Sequence, residues 1–138
     1  VGSHIQFAGV HCDVDGTNGN SSVLTVNYWD GSSWSDTSDT DNTSSGGATF
    51  AQDGTVAWSV PSDWAADSLV DIGDASTAHS PHLGTQDIYW TRWQVSSALD
   101  SSVTLDHMVA IPRSTAYAEL VSGQAPDVFA QYETFASS

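Results

Sequence analysis

The sequence predicts an all-β fold: an antiparallel β-sandwich, with a jelly roll as one form of it, carrying an extended or short-helical C-terminal arm. Three observations lead there. Apolar residues alternate with polar ones over short runs, the period of a half-buried strand. The runs are separated by clusters of Gly, Asn, Asp and Ser, the residues of turns. Seven or so such strands with turn-rich connections fit a two-sheet architecture.

Taken in order, Ile5, Phe7, Val10 and Cys12 alternate with polar neighbours, and Gly9 marks a bulge between them. Asp13 to Ser22 reads as a loop. Val23 to Trp29 is a strand with Leu24, Val26 and Tyr28 on one face, and Asp30-Gly31 turns the chain before Trp34. Ser35 to Gly47 reads as a long polar loop. Thr49 to Gln52 and Thr55 to Val60 flank Asp53-Gly54 and form the clearest hairpin signal. Pro61 ends that strand, and Ser62-Asp63-Trp64 starts a turn or short helix. Asp71 to Gln86 is loop-like. Asp87 to Ser96 is a strand that divides Trp90, Arg92 and Gln94 from Tyr89, Thr91, Trp93 and Val95. Val103 to Ile111 is another, with Val103, Leu105, His107, Val109 and Ile111 expected on one face.

Residues 1–112 form the expected sandwich domain and 113–138 the arm. Tyr117, Leu120, Val121, Val128, Phe129, Tyr132 and Phe135 give the arm an apolar side. It is too short for a core of its own, so Tyr117, Leu120, Val128, Phe129, Tyr132 and Phe135 are the expected subunit contact, on this domain or a neighbour.

The 138 residues suffice for one domain with a real core. Seventeen acidic residues stand against two basic ones, Arg92 and Arg113, for a formal net charge of -15. Nucleic acid is excluded as a partner, because phosphate contacts need Lys and Arg. Anionic membranes are disfavoured for the same reason. Such a chain repels itself at low ionic strength, and salt screens the repulsion, so the composition points to a saline setting or bound divalent cations. No apolar run reaches the roughly 20 residues of a membrane span. Cys12 is single and sits in an apolar stretch, as a small buried residue does. The chain begins at Val1 rather than Met, as a processed product or part of a longer protein would.

Asp13, Asp15, Asn18 and Asn20 are the best metal candidate, since oxygen ligands at alternating positions beside a Gly turn suit Ca²⁺. The helix–loop–helix pattern and its final Glu are missing. Asp36, Asp39 and Asp41 read as a solvated acidic loop. His79 and His82 are spaced like two zinc ligands but lack matching partners. No Ser sits in a nucleophile turn, and no Gly loop ends in Lys to cradle phosphate, so no enzyme activity is expected. Trp34 and Trp64 border loops and are the expected ligand-binding pair, because sugar faces stack on flat aromatic rings. Arg92 is expected to stack on Trp90 and pair with an Asp. Asn20-Ser21-Ser22 and Asn42-Thr43-Ser44 match the N-glycosylation sequon.

Tyr28-Trp29-Asp30-Gly31-Ser32-Ser33-Trp34, then Thr40-Asp41-Asn42-Thr43, Phe50-Ala51-Gln52-Asp53-Gly54-Thr55-Val56-Ala57-Trp58, Pro61-Ser62-Asp63-Trp64 and Tyr89-Trp90-Thr91-Arg92 follow one another in an order that resembles a β-sandwich module. That module recurs in structural proteins of tailed viruses, including head-decoration and tail-associated proteins. The resemblance covers Gly2 to Ile111 and brings no catalytic residues. It implies a virion-surface protein, first of all a capsid decoration protein contacting the major shell protein and copies of itself. The alternative is a carbohydrate- or receptor-binding module of a tail fibre or cell-surface adhesin, with surface glycans as partners.

Overall fold

The computed structural model describes residues 1–73 and 85–113. Among the described residues, nine strands and one short helix follow in order: β1 (Gly2–Ser3), β2 (Phe7–Gly16), β3 (Leu24–Trp29), β4 (Trp34–Asp36), β5 (Thr40–Asp41), β6 (Gly54–Ala57), β7 (Ala66–Asp67), α1 (Leu69–Ile72), β8 (Ile88–Val95) and β9 (Thr104–Pro112). They build two antiparallel sheets. One is five-stranded, in the order β1-β8-β3-β4 with β7 also paired to β8; the other is four-stranded, β5-β6-β2-β9. The fold is an all-β sandwich.

The core lies between the sheets. Phe7, Val10, Cys12 and Val14 from β2 and Val56 from β6 meet Leu24, Val26 and Tyr28 from β3. Phe50, Trp58 and Trp64 join the same cluster from the connections. Phe7 packs against Trp58 and Trp64 at ring-centroid distances of 5.5 and 5.1 Å, and Trp64 meets Tyr89 at 5.7 Å. Aromatic rings in tilted or edge-to-face pairs contribute beyond their area burial, by about 0.5–1.5 kcal/mol each. Cys12 is fully buried, and burial, with Asp41 adding to it, pushes its thiol up to about 11.

The bulge at Gly9 is real. The β2–β9 register shifts between Phe7 and Gly9, and a Cβ at Gly9 would stand 2.5 Å from the Val56 carbonyl oxygen. The Asp30-Gly31 turn is also as expected: Trp29 pairs with Trp34, and one Asp30 oxygen accepts from the backbone N–H groups of Ser32 and Ser33, both at 2.8 Å. These bonds hold the Asp30 carboxyl well below its ordinary pKa.

Four expectations are corrected. β2 runs through Gly16, so Asp13 and Asp15 lie on a strand rather than in a loop. Thr49 to Gln52 is turn, and β6 pairs instead with β2 and β5. The reason is local: Thr43 Oγ1 accepts from Phe50 N, the Ser22 carbonyl from Thr49 N, and Phe50 takes a positive φ of 55°. The polar stretch from Ser35 to Gly47 holds the end of β4 and all of β5, because pairing with β3 and β6 replaces a hydrophobic pattern. In β9 the register shifts at Asp106, so Leu105 pairs with Val14 while His107 pairs with Asp13. Cross-strand partners share a face. Met108 and Ala110, opposite Cys12 and Val10, therefore take the inner face that His107 and Val109 were expected to share with Leu105.

Candidate ligand-binding face

The outer face of the five-stranded sheet follows from its register. Asn27 of β3 stands between Asp36 of β4 and Arg92 of β8, and Trp29 stands opposite Trp34. Alternation places Trp90 on the same face as Arg92, as the sequence indicated. Trp29, Trp34, Trp90 and Arg92 are all half-buried. Trp29 and Trp34 meet edge to face at 5.6 Å. Asp67, on β7, binds two of these rings: its carboxylate accepts from Trp29 Nε1 at 3.0 Å and its carbonyl from Trp90 Nε1 at 2.9 Å.

Arg92 stacks on Trp34 rather than Trp90, with Cζ 4.9 Å from the ring centroid. The expected Asp partner is not found among the described residues, where both ion pairs involve His107. Its Nε is closed to solvent and has no hydrogen-bond acceptor, the single such atom among the described residues. The other arginine, Arg113, donates to Gln6 Oε1 at 2.9 Å.

Of the expected ligand-binding pair, Trp34 lies on this face and Trp64 does not. Trp64 is 4% exposed, one of the core rings, and donates from Nε1 to the Trp90 carbonyl at 3.2 Å. Nearness to a loop gave no hint that the loop folds inward.

The four expected Ca²⁺ ligands, Asp13, Asp15, Asn18 and Asn20, stand in different surroundings. Asn18 is 3% exposed, and its amide is engaged throughout. Nδ2 donates to Thr49 O at 2.9 Å and to Asn20 O and Ser22 Oγ at 3.0 Å. Oδ1, the atom a cation would use, accepts from Asn20 N and Asp100 N, both at 3.1 Å. Asn20 is exposed and reaches Ala98 O at 3.4 Å, and Asp15 is exposed on β2. Asp13 joins Asp106 and His107, whose ring nitrogens lie 3.4 Å from the two carboxylates. A second cluster, Asp67, Asp71 and Asp87, brings three carboxylates within 4.8 Å of one another beside Trp29 and Trp90. Its oxygen-only chemistry suits a hard cation, and the mixed set at His107 suits a transition metal.

Asp36, Asp39 and Asp41 each accept from a nearby backbone N–H: Ser38, Val26 and Thr43 respectively, all at 2.9 Å. Burial raises the Asp39 pKa against that bond. His79, His82 and the six expected contact residues of the arm (Tyr117, Leu120, Val128, Phe129, Tyr132 and Phe135) lie outside the described residues.

Neither protein-family models, nor curated proteins, nor solved structures give a match to this chain.

Proposed function

We propose that the chain is a non-catalytic structural module of a particle surface, a virion decoration or accessory protein that works by contact with the shell and with its own copies. The observation that carries this reading is β9. Among the described residues it ends its sheet, and two of its apolar residues lie exposed on opposite faces: Met108, 37% exposed, opposite the closed Cys12, and Val109, 55% exposed, opposite the exposed His11. A nine-residue edge strand offers unpaired backbone groups as a template for another chain. The apolar sequence of 114–138 follows it directly.

The test is peptide mass spectrometry on purified virus particles and on cell envelopes from the source, with the full-length Val109→Asp variant alongside. Copy numbers near that of the major shell protein, reduced in the variant, support decoration. Peptides confined to envelopes, or a variant that associates as the wild type does, refute it. The adhesin alternative loses the Trp34–Trp64 pair on which it was framed, because Trp64 is in the core.

A further inference from the structure

The structure carries six Trp, and five indole N–H groups have a protein acceptor: those of Trp29, Trp58, Trp64, Trp90 and Trp93. The sixth, Trp34, has none among the described residues, and the residue is half-buried rather than closed. Beside it stands Arg92, stacked on the Trp34 ring, donating no hydrogen bond and forming no ion pair among the described residues. Asp36 shares its face across Asn27, yet it accepts from Ser38 N.

We propose that Trp34 and Arg92 form a binding site for a carboxylate-bearing sugar, a hexuronate unit of an acidic glycan. The groups without a partner among the described residues are donors: the guanidinium N–H groups of Arg92 and the indole N–H of Trp34. Guanidinium and carboxylate match as planar forks, and such charge-assisted bonds are about twice as strong as neutral ones. Contact with the Trp34 ring limits the freedom of the guanidinium, which lowers the ordering cost on binding. Trp29 and Trp90 stand half-buried on the same face, and the part of an indole ring left exposed suits the apolar face of a pyranose, which favours a sugar over an acidic peptide. The site lies on the outer face of the five-stranded sheet and is independent of the β9 surface.

The net charge of -15 adds a distinguishing signature. Long-range repulsion of an anionic ligand is screened as the Debye length falls from about 10 Å at 0.1 M to about 3 Å at 1 M salt. The stacked, directly bonded pair is screened less. Affinity for the uronate therefore rises with salt, the reverse of a basic patch on a polyanion.

The experiment is calorimetric titration of the full chain with an oligouronate, a neutral oligohexose of equal length and a hexaglutamate peptide, at low and high salt. The wild type is expected to bind the oligouronate alone, more tightly at high salt. Arg92→Gln and Arg92→Lys lose roughly tenfold or more, the scale of a bidentate charge-assisted pair. Trp34→Phe, which keeps a ring and removes the indole N–H, loses several-fold. An NMR titration of the wild type reads the Trp34 indole N–H directly, so the proposal stays testable if an Arg92 variant does not fold. No oligouronate binding, equal binding of the neutral sugar or peptide, affinity that falls with salt, or an unmoved Trp34 resonance each overturns it.

Discussion

Replacing Asn18 by aspartate separates two roles that the sequence alone leaves equal. As a cation ligand, aspartate is the better residue, and the variant would gain calcium affinity and calcium-dependent stability. As a hydrogen-bond hub it is the worse one. The change turns the Nδ2 donor into an acceptor facing Thr49 O, Asn20 O and Ser22 Oγ, while the bonds at Oδ1 survive. The Ser22 hydroxyl can turn to donate; the two carbonyls cannot. Thr49 is fully buried, so its carbonyl stays unpaired at about 1–3 kcal/mol, and introducing a charge at a site 3% exposed adds to that. We expect a loss of about 3–5 kcal/mol, with Asn18→Ala losing about 2–4 kcal/mol. Urea unfolding followed by tryptophan fluorescence, with and without calcium at fixed ionic strength, measures both. A variant as stable as the wild type, or one that calcium restores, would refute the hub.

Three further outcomes follow from single sites. Gly9→Ala should lower the urea midpoint by an amount equivalent to about 2–4 kcal/mol, because its methyl meets backbone at Val56 and Ala57 rather than a side chain that can move; an unchanged midpoint would mean the bulge relaxes. For Asp30, folding lowers the carboxyl pKa, so its contribution is complete above the ordinary value of about 3.9 and is lost as pH falls below it. Asp30→Ala should therefore be less stable than the wild type at pH 6, with the gap narrowing towards pH 2; a gap constant with pH would count against the bonds from Ser32 and Ser33. Cys12, fully buried with its thiol raised to about 11, should resist a thiol reagent at pH 8 in the native state and react on unfolding; fast native labelling would show that the core opens there.

Much of the sandwich was legible because its strands bury one face, which prints a period of two. β3 and β8 are read correctly down to which residues share a face, and Gly9 and Asp30-Gly31 announce a bulge and a turn through residues that only such conformations favour. β4 and β5 were not legible, because their pairing relies on backbone bonds and on neighbours distant in sequence. The false hairpin at Asp53-Gly54 shows the converse. A good local turn signal lost to Thr43, Ser22 and Asn18, whose bonds to the 49–50 turn cross 7 to 31 positions. The Trp34–Arg92 pair was half legible: alternation put Arg92 with Trp90, but only the β8-β3-β4 register shows that Arg92 reaches Trp34.

The acidity also takes on a second meaning. The chain has fifteen Asp and two Glu, and both Glu lie in 114–138. A surface selected only for charge has no reason to prefer the shorter acid so strongly. The bonds supply one. Asp30, Asp36 and Asp41 each accept from a backbone N–H two or three residues on, the short reach that aspartate makes and glutamate does not. Asp39 and Asp53 accept from backbone N–H groups of Val26 and Val14, tying loops to strands, and Asp100 accepts from Gly19 N, tying one loop to another. In a chain with no Lys these carboxylates hold the connections together through backbone donors instead of ion pairs. Salt then acts on two separate terms. It screens the repulsion among the charges while leaving short, directional bonds largely intact, so added salt is expected to stabilise a chain of this composition.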